Sequence, residues 1–156
     1  MLLIGNGRLI TRSQTNPYLE DGAVVLDGEA VRETGTLTAL RAKYPQARFV
    51  DARGGVIMPG LINVHTHIYS GLARGLAIDG FHPTNFFEVL DGQWWNIDRH
   101  LTLDGTRACA YATILDCIRD GVTTIFDHHA SFGEIPGSLF AIKDVCAELG
   151  MRACLC

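Results

Sequence analysis

The apolar positions change period partway along the chain. Up to about residue 58 they form short alternating runs, the pattern of half-buried strands. Residues 2–4 and 8–11 read as two strands on either side of Gly5-Asn6-Gly7. Residues 23–26 and 29–33 flank Asp27-Gly28, a two-residue hairpin signal. Residues 37–44 fit a short helix that Pro45 stops, and residues 48–51 and 56–58 read as further strands. The acids Glu20, Asp21, Asp27 and Glu29 stand at the turns, where water satisfies them, so this part carries no catalytic cluster.

From Gly60 the pattern becomes α/β. Residues 61–67 form an uncharged, Ile/Val-containing run that predicts a strand buried on both faces. Residues 68–100 are long and irregular, with Gly71, Gly75, Gly80 and Pro83; Thr84 is expected to cap a short helix carrying Phe87, Leu90 and Trp94. Trp94 and Trp95 adjoin, so on a helix one is expected in the core and the other facing a cleft or an interface. The clearest helix covers residues 103–120, with Thr102 as N-cap, Asp104 in the first turn and Gly121 beyond its end. Its expected apolar stripe is Ala108, Tyr111, Leu115 and Ile118, widened by Ala112 and Ile114. Residues 122–126 predict a second strand and residues 138–149 a second helix, with Leu139, Ile142, Val145, Cys146 and Leu149 on one face and Gly150 as its stop. A third strand starts at Arg152. Strand–helix repeats of this kind make a parallel sheet with right-handed crossovers.

Composition narrows the function classes. The chain has 156 residues, 47% hydrophobic and 19% charged, which suits a core-forming globular protein. Its net charge of -4 and lack of a basic cluster give nucleic-acid or membrane-surface binding no electrostatic support. Its apolar runs fall short of the ~18 residues of a membrane span. The start, Met1-Leu2-Leu3-Ile4, soon meets Gly5, Asn6 and Arg8 and does not read as a signal peptide. Cys109, Cys117, Cys146, Cys154 and Cys156 are odd in number, without Cys-x-x-Cys spacing, and are expected to be reduced core thiols of a cytoplasmic protein.

The candidate chemistry sits at strand ends. Residues i and i+2 of a strand project to one side, so His65 and His67 can aim two imidazoles at one metal ion. They close the first strand at its C-terminal end, where α/β sheets and barrels place their sites. The same alternation puts Leu61 and Asn63 on the histidine face, and Ile62 and Val64 on an apolar layer. Asn63 is expected to bond around the site or to be a structural amide. In the second strand, Thr123, Ile125, Asp127 and His129 share a face. Asp127 and His129 are candidates for orienting a ligand or for capping the following loop, and His128 is expected to point at the helices. The loop after the first strand would overhang the site. In it, Arg74 could meet an anionic substrate group or brace the loop, His82 is a candidate substrate contact, and His100 is expected at the surface.

Pro59-Gly60-Leu61-Ile62-Asn63-Val64-His65-Thr66-His67, following a β-rich start, resembles the amidohydrolase superfamily. Arg74-Gly75 and Gly121-Val122-Thr123-Thr124 before Asp127 look like its cytosine-deaminase and chlorohydrolase branch. Tyr69-Ser70, residues 81–87 and residues 127–133 are similar to the aminohydrolase group called SsnA. The resemblance implies an α/β fold: the N-terminal part of a (β/α)₈ TIM-like barrel, residues 59–156, preceded by a small β-sandwich segment, residues 1–58. It implies one divalent metal ion, zinc or iron, with His65 and His67 as its first two ligands. The remaining ligands and the acid/base group would lie beyond Cys156. The implied reaction is hydrolysis of a non-peptide C–N bond, deaminating a nitrogen heterocycle with metal-activated water. Arg74, His82 and His129 are the candidate substrate contacts, and Asn63 and Asp127 the candidate supports. Ring or amide opening of the dihydropyrimidinase type is the alternative, as is a piece not competent alone. A small-molecule substrate is expected, without nucleic acid or membrane, and a homodimer of the full-length protein stays open.

A complete barrel takes roughly 250 residues, so this chain is expected to be the first third or so of a longer protein. Alone, it is expected to leave apolar faces and a strand edge uncovered. The 156-residue chain should then aggregate or be partly molten; a cooperative thermal transition of a clean monomer at this length would overturn that expectation.

Overall fold

Gly5-Asn6-Gly7 does not break the first strand. β1 (Leu2–Ile10) runs through it, and two register shifts against its neighbour absorb the irregularity. Asn6 takes a φ of 60° there, and its amide donates to the Asp51 carboxylate at 2.6 Å. A bulge preserves pairing where a turn would end it, so two expected strands are one.

The computed structural model describes residues 1–156 and falls into two units, Met1–Pro59 and Gly60–Cys156. In the first unit, β2 (Tyr18–Asp27), β3 (Ala30–Thr36), β4 (Arg48–Asp51) and β5 (Val56–Ile57) join β1 in one sheet. The order is β3-β2-β1-β4, with β5 also paired to β1. Gly28, at a φ of 59°, turns the β2–β3 hairpin where Asp27-Gly28 predicts it. α1 (Leu37–Lys43) is capped by Thr36, whose side chain accepts from the Ala39 N–H. It packs Leu40 against Leu3, Ala23 and Val25. Val24 alternates to the other face, with Leu9 and Ile57.

The second unit holds a parallel sheet of β6 (Leu61–Thr66), β7 (Val122–Asp127) and β8 (Arg152–Leu155), in that order. β6 leads into a 3-10 turn (Ile68–Ala73), then α2 (Phe86–Val89), a π-helical turn (Leu90–Trp94), α3 (Trp95–His100) and α4 (Leu103–Arg119). α5 (Ser138–Leu149) connects β7 to β8. Thr102 caps α4 by accepting from the Gly105 N–H at 3.1 Å. The α2 cap is Asn85 and not Thr84: the Asn85 side chain accepts from the Glu88 N–H, while Glu88 reaches back to the Thr84 N–H. The polar run Thr84-Asn85 offers two cap residues, and the reciprocal bond to Glu88 selects between them.

The core joins Ile68, Ala110, Ile114, Ile125, Ile142, Val145, Cys146 and Met151. The buried side of α4 is Thr106, Cys109, Ala110 and Ile114, rotated from the expected stripe, and Leu115 and Ile118 are exposed. The cause is the 3-10 turn pressed on this helix. A Cβ on Gly71 would lie 2.1 Å from the Thr113 hydroxyl oxygen, and only small side chains permit that approach. Cys109 and Cys146 are buried as expected, but Cys154 and Cys156 are exposed, because β8 is an outer strand of the sheet. β6 is the other outer strand, and Ile62 and Val64 on it are 59% and 74% exposed, not buried on both faces.

Gly71→Ala should therefore destabilise the full-length protein by about 1–3 kcal/mol through overpacking, and a second change, Thr113→Ala, should recover part of it. Urea unfolding of the three proteins checks this; an unchanged midpoint for Gly71→Ala would show that the contact is not tight.

Candidate functional site

The end of β6 is tied to the end of β7. The His128 N–H donates to the Thr66 carbonyl at 2.9 Å, which continues the parallel ladder past both strands. One residue on, His67 Nδ1 lies 3.0 Å from the His128 carbonyl oxygen. A carbonyl can only accept, so Nδ1 carries a proton and, in the neutral ring, Nε2 keeps the lone pair. That Nε2 lies 3.2 Å from His65 Nε2. Next along the chain, the buried Ile68 N–H donates to Asp127 Oδ1 at 2.7 Å. The Ser70 hydroxyl closes the turn by donating to the His67 carbonyl at 2.8 Å.

His65 and His67 therefore converge as the i, i+2 spacing predicts. A fixed Nδ1 proton on one ring is the outer support that metal-binding histidines commonly have. Two neutral imidazole nitrogens suit zinc or iron, and four-coordinate zinc needs two further donors. No third His, Cys, Asp or Glu joins the pair.

Asp127 is 2% exposed. It does not touch a histidine ring, but anchors the main chain immediately after His67. Burial holds its carboxyl above the ordinary range, against the lowering effect of the Ile68 N–H. Its Oδ2 has no hydrogen-bond partner. Ile125 lies in the helix-packed core, so alternation puts Asp127 on the helix side and His128 on the open side. There the His128 ring sits 5.5 Å from that of His67, edge to face. The expectation that His128 points at the helices is corrected. Val122-Thr123-Thr124-Ile125-Phe126 has apolar residues at both parities, so its pattern leaves the facing undetermined.

His129 is half-buried, its ring edge-on to Tyr69 at 5.5 Å, and neither ring nitrogen has a partner. Burial lowers its pKa. Arg74 pairs with Asp116 at 2.6 Å and donates to the Gly71 carbonyl, so it braces the loop against α4. His82 is exposed in the loop before α2. Asn63 lies opposite Ile125 and beside the Cys117 thiol of α4, away from the histidine face. Its Oδ1 nevertheless accepts from the His65 N–H at 3.2 Å.

Beside His67 opens a crevice of about 370 Å³, lined by Tyr69, Phe86, Trp94, Trp95, Asp98 and His128 among others. The Trp94 ring meets His67 at 5.5 Å, and Trp95 meets Phe87 at 5.6 Å. Both tryptophans face the crevice, because the π-helical turn offsets the two helical stretches and defeats the α-helical spacing argument. Asp98 is the residue that sequence reasoning missed. It is buried on α3, and burial raises its carboxyl pKa. Tyr69 is raised in turn, first by burial and then by Asp98. Asp98 sits in Asn96-Ile97-Asp98-Arg99-His100, a stretch that reads as an ordinary polar helix end.

The chain belongs to the amidohydrolase family: residues 56–156 match the Amidohydrolase family. Residues 22–47 match an imidazolonepropionase-like composite domain of bacteria. The chain is similar to the 5'-deoxyadenosine deaminase of Methanosarcina barkeri, 28% identical over 155 residues, covering 99% of this chain and 32% of the relative. It is 29% identical over 158 residues to the 5-methylthioadenosine/S-adenosylhomocysteine deaminase of Syntrophomonas wolfei, covering 99% and 33%. Among solved structures, a mutant of the atrazine chlorohydrolase TrzN from Arthrobacter aurescens, complexed with zinc and atraton, matches with a TM-score of 0.82 at 29% identity, covering 99% of this chain and 35% of that one. Guanine deaminase of E. coli shares the fold, with a TM-score of 0.80 at 21% identity, covering 99% and 37%. The chain spans about a third of the length of these relatives. Deaminase and chlorohydrolase names are those of the branch that the sequence resembles.

Asp127→Ala should strand the buried Ile68 N–H and destabilise the full-length protein by about 1–3 kcal/mol. Asp127→Asn keeps an acceptor for the Ile68 N–H, so it should cost less. Equal losses for the two variants in urea unfolding would refute the anchoring bond.

Proposed function

We propose that the protein is a metal-dependent hydrolase of non-peptide C–N bonds, an aminohydrolase that deaminates a nitrogen heterocycle. His65 and His67 would be two ligands of its divalent metal ion, zinc or iron. The observation that carries this reading is the convergence of the two ring nitrogens at 3.2 Å, with His67 Nδ1 tied to the His128 carbonyl. When bound, such an ion lowers the pKa of water towards ~7 and polarises the group under attack.

The chain's own residues supply the rest of the geometry. His67 keeps one tautomer because its Nδ1 proton is held. Asp127 fixes the turn that follows and Asn63 the main chain that precedes. Tyr69, Trp94, Trp95 and Phe86 give a wall suited to a planar ring. His128 and Asp98 are polar groups on that wall, which can orient the ring's nitrogens and exocyclic groups. His129, Arg74 and His82 remain proposed contacts for larger substrates, Arg74 once its Asp116 pair opens. The relatives named as deaminases support the reaction class.

In the same reading, residues 59–156 are the first βα units of a (β/α)₈ barrel, and residues 1–58 are the N-terminal portion of a composite β-sandwich domain. The composite-domain match supports this. The cytoplasm is the compartment that belongs to this reading, because it keeps five unpaired cysteines reduced. No helix is long and apolar enough to cross a membrane.

The test is metal analysis and ammonia release by the full-length protein against a purine, pyrimidine and triazine panel. About one metal per chain, with ammonia released from a panel member, is the expected result. About two metals with ring opening would replace it with the dihydropyrimidinase-type reading. His65→Ala and His67→Ala should each lose the metal, and unchanged metal content would refute their role.

A further inference from the structure

We propose that Asn63 is a positioning residue: it closes a side-chain turn inside β6 that swings the two histidines onto the open face of the sheet. The inference rests on the metal reading above.

The strand ladder shows the need for such a device. Asn63 lies opposite Ile125 and Thr66 opposite Asp127, so β6 takes three steps where β7 takes two. One extra residue is accommodated between Asn63 and Thr66. Without it, alternation would put Asn63, His65 and His67 on one face. That face is the helix side: Asn63 pairs with the core residue Ile125 and lies beside the Cys117 thiol of α4. Both imidazoles would then point into the apolar layer under α4, where unpaired nitrogens are costly. With the extra residue, Thr66 joins Asn63 on the helix side and is buried. His67 turns to the open side, against Trp94 and His128.

The bond that holds this irregularity comes from Asn63 itself. Its Oδ1 accepts from the N–H two residues on, at His65, at 3.2 Å. This is the geometry with which Asn and Asp side chains mimic a backbone turn. It occupies a donor that a regular ladder would offer to β7. The Cys117 thiol lies against the same side chain. A residue without an acceptor at this position leaves the His65 N–H unpaired and lets the strand relax towards regular alternation. Asp keeps the acceptor and the shape, and Ser keeps a shorter, neutral acceptor.

The experiment compares Asn63→Leu, Asn63→Asp and Asn63→Ser in the full-length protein, with zinc as the probe. Zinc affinity is read by competition with a chromogenic chelator, and hydrogen exchange is read at the His65 amide. Asn63→Leu should weaken zinc binding by about 10–100-fold, the usual cost of losing an outer support, and should speed His65 amide exchange. Asn63→Asp should stay close to the unsubstituted protein in both readouts, and Asn63→Ser should fall between. The proposal is overturned if Asn63→Leu leaves zinc affinity and His65 exchange unchanged, or if all three variants lose thermal stability and zinc affinity alike, as a packing role alone would give. If His65→Ala and His67→Ala do not alter zinc binding, the metal reading fails instead. The exchange at His65 still decides whether Asn63 holds the turn.

Discussion

The second unit depends on how two strand ends hold each other. Three hydrogen bonds join residues 66–68 to residues 127–128: main chain to main chain, imidazole to main chain, and main chain to carboxylate. Each is worth only about 0.5–1.5 kcal/mol net, but a partner left buried and unpaired costs more than the bond supplies. The clamp therefore works mainly by excluding alternatives. It sets the His67 tautomer, starts the 3-10 turn in one direction and thereby lays Gly71 against Thr113. The aromatic crevice follows from that placement, because Tyr69 is carried on the same turn.

Polar satisfaction is incomplete around this clamp. Asp98 Oδ1, Asp127 Oδ2, the Thr66 hydroxyl and both His129 nitrogens are buried without partners, and they cluster around the strand ends and the crevice wall. Buried polar groups are ordinarily paired, and the exceptions mark places where a sequence serves something other than stability. Burial also moves Asp98, Asp127 and Tyr69 towards their protonated forms and His129 towards its neutral form. This part of the molecule is thus biased towards uncharged side chains.

The long helices and the succession of strands in the second unit could be read from the chain because caps and stops are local. Thr102 and Gly121 bound α4, Gly150 ends α5, and Gly28 turns its hairpin through short-range geometry alone. The His65–His67 pairing was legible for the same reason. Facing was not legible, because it depends on register, and register is set between segments about sixty residues apart. One extra residue in β6 reverses the parity of Asn63 relative to His67, and β7 carries apolar residues on both faces. The buried side of α4 was likewise chosen by a glycine on another element. Asp98 escaped notice because an acid near a helix end is usually solvated, and only the fold buries it.

The π-helical turn at Leu90–Trp94 has a consequence for how such a crevice is built. A π turn is an α-helix with one residue too many. The extra residue is taken up inside the wide turn, so the helical stretches on either side keep nearly the relative facing of an uninterrupted helix one residue shorter. Phe86 of the first stretch and Asp98 of the second therefore reach the same wall. Leu90 and Trp94 of the turn itself line the crevice, whereas His65 and His67 belong to β6 and the residue after it. The ring-facing surface and the candidate metal ligands are thus carried by separate elements of the chain.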